Sequence, residues 1–505
     1  MMNTLFDRLF GRHAGSTNPF LIVPGGETIS YDAFLRMAAR IAHVLCAQGL
    51  VPGDRLAVQV EKSPQALAIY AACVQAGVVF LPLNPAYTSD ELRYFIENSG
   101  ARMVVIDPRD QDALRPMLTD LGAEFLTLNA DGTGSLPDLA ATMPDQFETV
   151  ARDAGDLAAF LYTSGTTGRS KGAMLTQANL LSNAETLVDY WRYTVDDVLL
   201  HALPIFHTHG LFVATNVTLL AGGSMIYLPK FDLDTMITWL PKATTVMGVP
   251  TFYTRFLDDP RFDRALTEDI RLFISGSAPL LSETHLQFEA RTGHRILERY
   301  GMTETNMNTS NPYDAERRAG TVGLPLPGVE VKVVDPETGA TLPHGKIGQI
   351  EVRGPNVFKG YWQMPEKTAA ELRSDGFFIT GDLGHFDDDG YLSIVGRNKD
   401  LIISGGYNIY PKEIELVLDD QPGVLESAVI GVPHADFGET VVAIIVPQPE
   451  ADLDVAAILS ACSDRLAPFK HPRKIMLRSS LPRNTMGKVQ KNVLRDEYAD
   501  SFVGM

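Results

Sequence analysis

The segment YTSGTTGRSKG, residues 162–172, sets hydroxyls and glycines around a single cation directly after an apolar run. Thr163, Ser164, Thr166 and Thr167 surround Gly165 and Gly168, Ser170 follows, and Lys171 closes the string. Glycines let backbone N–H groups turn toward an anion, hydroxyls add donors, and the ammonium adds a point charge. That set suits a polyphosphate. The competing reading is an ordinary Ser/Gly surface loop, which the density of donors after a strand disfavours. A Walker A loop would end in GK[ST], whereas Lys171 precedes Gly172, so a P-loop kinase is disfavoured. In YGMTET, residues 300–305, Thr303 is a hydroxyl donor suited to an α-phosphate and Glu304 a hard oxygen ligand suited to Mg²⁺. A solvated turn is the alternative for Glu304. Asp382, in TGD, could accept from two ribose hydroxyls, although Gly-Asp alone is also common turn chemistry.

A second group bears on an organic acid. Three stretches, LPIFHTHGLF (203–212), MGVPTFYTRFL (247–257) and FISGSAPLL (273–281), are apolar but interrupted. Arg255 breaks one of them, and Ser275 and Ser277 sit in the glycine turn that follows a strand. A guanidinium fork matches a carboxylate bidentately, and a nearby hydroxyl can complete its shell. The expectation is that Arg255, with Ser277 in preference to Ser275, holds the distal carboxylate of a short diacid. The alternative is an arginine that snorkels from a helix to the surface.

These groups need a scaffold. Runs such as RLAVQV (55–60), VVFLPL (78–83), RMVVID (102–107), AAFLYT (158–163), SMIYL (224–228) and RLFIS (271–275) alternate with helical patterns. One such pattern runs from Tyr31 to Leu50, with Phe34, Met37, Ile41 and Leu45 near helical spacing. Alternation of this kind predicts parallel α/β layers. From about 320 the texture becomes short strands and turns, which predicts a β-rich subdomain. Past a charged connection near 396–400 come a helix, two strands, another helix and a basic tail, enough for a small α+β domain. The expected fold class is therefore α/β. A large multi-layer N-terminal domain (1–397) with a β-rich subdomain precedes a small mobile C-terminal lid domain (398–505).

Composition bounds the partners. The 505 residues carry 43 Lys plus Arg against 62 Asp plus Glu, a net charge of −19. Such a surface repels nucleic acid and anionic lipid, so an anionic ligand must be met by local donors. Cys46, Cys73 and Cys462 are widely spaced, without CxxC, which fits a reducing, cytoplasmic setting and no zinc site. The uncharged stretch 198–229 is broken by Pro204, His207, His209, Asn216 and Gly222-Gly223, and reads as a buried helix followed by a strand rather than a membrane span.

The phosphate-loop string resembles that of the adenylate-forming superfamily of acyl-CoA synthetases, luciferases and peptide-synthetase adenylation domains. YGMTET (300–305), DGFFITGDLG (375–384), GYLSIVGRNKDLIISGGYNIYPKEIE (390–415) and PRNTMGKVQKN (482–492) follow in the family's order, so the resemblance covers essentially the whole chain. It implies ATP, Mg²⁺ and coenzyme A as the cofactor set. By matching position it implies nucleotide contacts from Thr163–Gly168, Lys171, Gly276, Ser277, Ala278, Pro279, Tyr300, Gly301, Thr303, Asp382 and Arg397, and from the glycine pair Gly405-Gly406. Glu304 matches the family's metal ligand, Lys399 its hinge, and Lys488 the lysine that activates the carboxylate. The same lysine is an acetylation target in the family, which implies acetyltransferase and deacetylase partners for Lys488.

HALPIFHTHGLFVATNVTL, MGVPTFYTRFL, LFISGSAPLL and ERYGMTETNMNTSNPYD resemble bacterial malonyl-CoA synthetases. That resemblance implies Arg255 and Ser277 on the distal carboxylate, with His207 and Met302 beside the acyl path. His207 reads equally well as a satisfied core histidine. The reaction implied is AMP-forming ligation of malonate, and of methylmalonate, to coenzyme A. Acetate would leave a buried cation unpaired, at a cost of about 3–5 kcal/mol. Three other readings are a ligase for a medium-chain or aromatic acid, an adenylation domain that loads a carrier protein, and a non-catalytic nucleotide-binding relative, which should have lost Lys488, Glu304 or Asp382 and has lost none.

Overall fold

Ser30 accepts a hydrogen bond from the Ala33 N–H and starts the helix Tyr31–Ala47, which buries Phe34, Ala38, Ile41 and Leu45. Pro64 at the first turn and Gly77 in left-handed backbone (φ 73°) bound the next helix, Pro64–Ala76. These helices flank parallel strands whose residues are nearly all buried, as expected for strands covered on both faces. The computed structural model describes residues 3–163, 170–404, 407–434, 437–449, 451–484 and 487–502.

The runs that read as strands in the sequence are strands. Arg55–Gln59, Val79–Pro82, Met103–Ile106 and Leu157–Thr163 belong to a six-stranded sheet, and Ser224–Tyr227 and Leu272–Ser275 to a nine-stranded one. The first sheet ends in an antiparallel hairpin that pairs Leu157–Thr163 with Lys171–Thr176. In the second, Val198–His201, Thr245–Gly248, Leu272–Ser275 and Leu297–Met302 are adjacent and parallel, so their carboxyl ends line up. Ligands of open α/β sheets bind beyond such ends. The uncharged stretch forms a wide helical turn, His209–Thr215, continued by Asn216–Ala221 and then by the strand Ser224–Tyr227. No helix among the described residues is long and apolar enough to cross a membrane.

The backbone falls into two compact units: Met1–Glu330 with Val352–Phe378, and Val331–Glu351 with Ile379–Met505. The second contains most of a four-stranded sheet and, among the described residues, a five-stranded sheet built on the long hairpin Val424–His434/Gly438–Pro447. The units interleave in sequence because the four-stranded sheet joins Glu330–Val334 and Gly348–Arg353 to Phe378–Phe386 and Leu392–Arg397. The expected division at 397/398 does not coincide with this partition, in which the second unit already includes Val331–Glu351 and begins its main stretch at Ile379.

Candidate active site

The hairpin register sets Lys171 opposite Thr163 across the proposed phosphate loop. Ser164, Gly165, Thr166, Thr167 and Gly168 lie outside the described residues. Lys171 is buried, with its ammonium 3.3 Å from Glu371 Oε2 and 4.1 Å from the centre of the Tyr361 ring. Tyr361 donates to Glu371 Oε2 at 2.7 Å and lies 3.0 Å from Glu304 Oε1, which also accepts from the Thr163 hydroxyl at 3.2 Å. Burial, then the charge of Glu304 and the contacts with Glu371, push the Tyr361 phenol far up, so it stays a donor. Burial would raise the Glu371 pKa, but Lys367, Tyr361 and Lys171 together hold it below the ordinary carboxylate range.

Glu304 sits on the turn between Leu297–Met302 and Asn306–Ser310, next to half-buried Thr303 and Met302 and buried Tyr300. Gly301 permits that turn, since a Cβ there would fall 1.9 Å from the Asn306 carbonyl oxygen. One Glu304 oxygen is already held by hydroxyls, and among the described residues no cluster of three or more His, Cys, Asp or Glu could hold a metal. A lone, oriented carboxylate suits Mg²⁺ that arrives with phosphate oxygens rather than an all-protein cage. The site fits that ion.

The organic end of the site lies at the aligned strand ends. After Ser275, Gly276 is buried and half-buried Ser277 takes left-handed backbone (φ 71°), an unusual conformation for serine, which aims its hydroxyl at His209 Nδ1, 3.1 Å away. Ala278 is half-buried and Pro279 exposed. Under this turn lies Arg299, only 3% exposed, and its Nε and Nη2 have no hydrogen-bond partner among the described residues. Burial lowers its pKa to about 9, so at neutral pH it remains a cation. Ser275 Oγ, Thr208 Oγ1 and His209 Nε2 are likewise buried without partners. Burial, and then the charge of Arg299, hold His209 well below the ordinary histidine range and therefore neutral. His207 is half-buried on the same loop.

Gly276 leaves no room for a side chain, because a Cβ would lie 2.3 Å from Arg299 Cζ. Gly276→Ala should destabilise the protein by about 1–3 kcal/mol in urea unfolding, the cost of overpacking a core. An unchanged midpoint would mean that the guanidinium is free to move.

Arg255 is not part of this cluster. On the helix Pro250–Asp258, Phe252, Tyr253 and Phe256 are buried, whereas Arg255 is exposed with its guanidinium 5.4 Å from the Phe231 ring. Its expected pairing with Ser277 is therefore corrected. The buried cation beside Ser277 is Arg299, which sequence reasoning passed over.

In the second unit, Asp382 and Arg397 face each other across an antiparallel pair, with Nε 2.8 Å from Oδ1 and Asp382 buried. Lys399 is exposed in a single turn, Asn398–Asp400, that follows Gly396. Half-buried Lys488 follows Gly487 (φ 75°) in a turn where its N–H donates to Asn484 Oδ1 at 3.0 Å. Gly405 and Gly406 lie outside the described residues.

The model of the AMP-binding enzyme family matches residues 12–362, and that of the AMP-binding enzyme C-terminal domain matches 413–488. The chain belongs to the AMP-binding enzyme family. Within it, the crystal structure of ATP-bound MatB from Rhodopseudomonas palustris is 58% identical, with a TM-score of 0.97 over 99% of this chain and 100% of that one. A malonate–CoA ligase of Arabidopsis thaliana is 33% identical, over 97% of this chain and 88% of its own. A long-chain-fatty-acid–CoA ligase of Bacillus subtilis is also 33% identical, over 94% of this chain and 91% of its own.

Arg299, His209 and the Tyr361–Glu371 pair are thus the candidate-site residues of this AMP-binding enzyme that sequence reasoning missed. A signal existed for Arg299, since it stands within ILERYGM, where a charge in a strand covered on both faces needs a reason. No local pattern marks Tyr361 or Glu371, because Glu371 meets Lys171 from 200 residues away.

Proposed function

We propose that this AMP-binding enzyme ligates malonate, and methylmalonate, to coenzyme A in two steps. ATP first converts the acid to its adenylate with release of pyrophosphate, and the thiol of coenzyme A then displaces AMP. One observation carries the choice of acid: the buried Arg299 guanidinium, with Nε and Nη2 unpartnered, beside Ser277 and His209. Relatives a third identical act on both a diacid and a fatty acid, so their names alone do not decide. A fatty-acid pocket has no use for a buried cation, whereas the distal carboxylate of malonate would accept from it. Neutral His209 and the Ser277 hydroxyl complete the receptor without adding charge.

Lys171, Thr163 and Thr303 serve the phosphates, and Ser164–Gly168 supply further donors. Glu304 would hold Mg²⁺, which neutralises phosphate charge when bound. Tyr361 orients Glu304, and Glu371 holds Lys171 until phosphate replaces it. Asp382, fixed by Arg397, receives the ribose hydroxyls. The segment from 398 onward moves about Lys399, and Lys488 acts in the first step only. Acetylation of Lys488 would remove that charge. The cytoplasm is the proposed location.

The test is AMP formation across C2 to C8 mono- and dicarboxylates. Malonate and methylmalonate should lead, with acetate about a hundredfold lower or worse in kcat/KM. Octanoate or benzoate ahead of malonate would overturn the diacid reading. Because Arg255 is exposed, Arg255→Ala should leave malonate kcat/KM within about twofold, as surface substitutions usually do. A hundredfold loss in that variant would restore Arg255 as the carboxylate ligand.

A further inference from the structure

Outside this site the first unit buries a further basic side chain. Lys62, between the strand Arg55–Gln59 and the helix Pro64–Ala76, is 8% exposed, and its ammonium donates to three acceptors. These are His201 Nδ1 at 2.8 Å, the His201 carbonyl at 2.9 Å and the Leu203 carbonyl at 3.0 Å. The Tyr227 ring lies 4.3 Å from the ammonium. A buried ammonium without a carboxylate is costly, and burial drives its pKa well below the ordinary lysine range. Lys62 takes no part in the chemistry described above.

All three acceptors mark one end of the loop that carries His207 and His209. The other end is bound to the same pair, since His201 Nε2 lies 2.9 Å from the Gly210 carbonyl, which also accepts from the Thr215 hydroxyl at 2.9 Å. With Lys62 donating to Nδ1, His201 is neutral and carries its proton on Nε2, the tautomer that donates to Gly210. The two loop ends touch, because a Cβ on Gly210 would lie 2.0 Å from the Pro204 carbonyl oxygen. Gly210 also lies in the first turn of the wide helical segment His209–Thr215, an element that natural proteins place at functional sites.

We propose that Lys62 is a positioning residue for the acid pocket: through His201 it clasps both ends of the 203–210 loop and so fixes His209 against Ser277. Positioning of this kind matters because small displacements of a binding group cost large factors in rate. The inference rests on the reading that the acid lies beside His209. It predicts a defect confined to the acid, since the loop it fixes carries His209, which meets Ser277.

The test compares Lys62→Met with His201→Asn in the full-length enzyme, reading KM for malonate, KM for ATP, kcat and the thermal midpoint. Met keeps the length of lysine without its donors. Asn keeps an acceptor near the Nδ1 position but does not reach Gly210. Each should raise KM for malonate tenfold or more with KM for ATP within twofold, and the double variant should be no worse than the poorer single one. Parallel rises in both KM values, unchanged malonate kinetics in a folded variant, or additive losses in the double variant would each overturn the proposal. If Lys62→Met does not fold, His201→Asn alone decides by the same split. Failure of the diacid reading is distinguishable, because it would appear in the wild-type acid panel, and the split would then be read with the acid preferred there.

Discussion

Arg299→Met is expected to abolish malonate use while making the ligand-free protein more stable. The guanidinium is 3% exposed and its Nε and Nη2 meet no acceptor among the described residues, so its charge, eased by the neighbouring Glu298 carboxylate, is not satisfied by hydrogen bonds. Replacing buried charge with an apolar side chain of similar length is often neutral or stabilising by about 1–4 kcal/mol. The distal carboxylate of malonate supplies what Arg299 lacks. Its loss should lower kcat/KM for malonate by about 10²–10⁴-fold, the range for a buried charge-assisted pair of about 3–5 kcal/mol. Two measurements check this together. The thermal midpoint without ligand should rise, and malonate should no longer raise it, since only a ligand that binds the folded state stabilises it. Acetate or propionate use should be retained or slightly improved. A variant with malonate kcat/KM within threefold of wild type would remove Arg299 from the acid site, and an equal loss on acetate would show a general defect.

Much of this site was legible in the residues. The donors around Gly165 and Gly168 forecast a phosphate element after a strand; the strand is present and pairs Thr163 with Lys171, while the donors between them lie outside the described residues. The broken, uncharged stretch at 198–229 forecast a buried helix and then a strand, and both formed. Which arginine points inward was harder. On a helix, at about 100° per residue, Phe252, Tyr253 and Phe256 span one arc and Arg255 falls outside it, so periodicity already placed it toward solvent. An interrupted apolar run looked like a ligand because the run was read as a line rather than a cylinder. Arg299 suffered the opposite error. Beside Glu298 it reads as the polar end of a strand, and the pairing of that strand with Leu272–Ser275 and Asn306–Ser310, with Gly276 packed on the guanidinium, is what the sequence does not show. Burial of that kind is a property of sheet order, and for Arg299 the apolar neighbours in ILERYGM are its one local sign. Tyr361 and Glu371 have none, because their partners are remote in sequence.

Lys488→Ala should separate the two half-reactions. Attack of a carboxylate on an α-phosphate brings two anions together and builds further charge on the phosphoryl oxygens. An ammonium touching both offsets the repulsion where it is greatest, and removing one such donor costs about 10²–10³-fold. Thioester formation from a supplied acyl-adenylate has a different need: the thiol attacks a carbonyl whose phosphate is already the leaving group. Pyrophosphate release should therefore fall by about 10²–10³-fold in Lys488→Ala, while conversion of added malonyl-AMP to malonyl-CoA stays within about tenfold. Lys399→Pro should show the reverse. Proline fixes φ in the exposed turn Asn398–Asp400, so a chain able to adenylate would be unable to change backbone there between steps. Its pyrophosphate release should survive and its thioester formation fail. Equal losses in both half-reactions for either variant would mean that one arrangement of Lys488 serves the whole cycle, and the division of the chain at 397/398 would lose its mechanistic meaning.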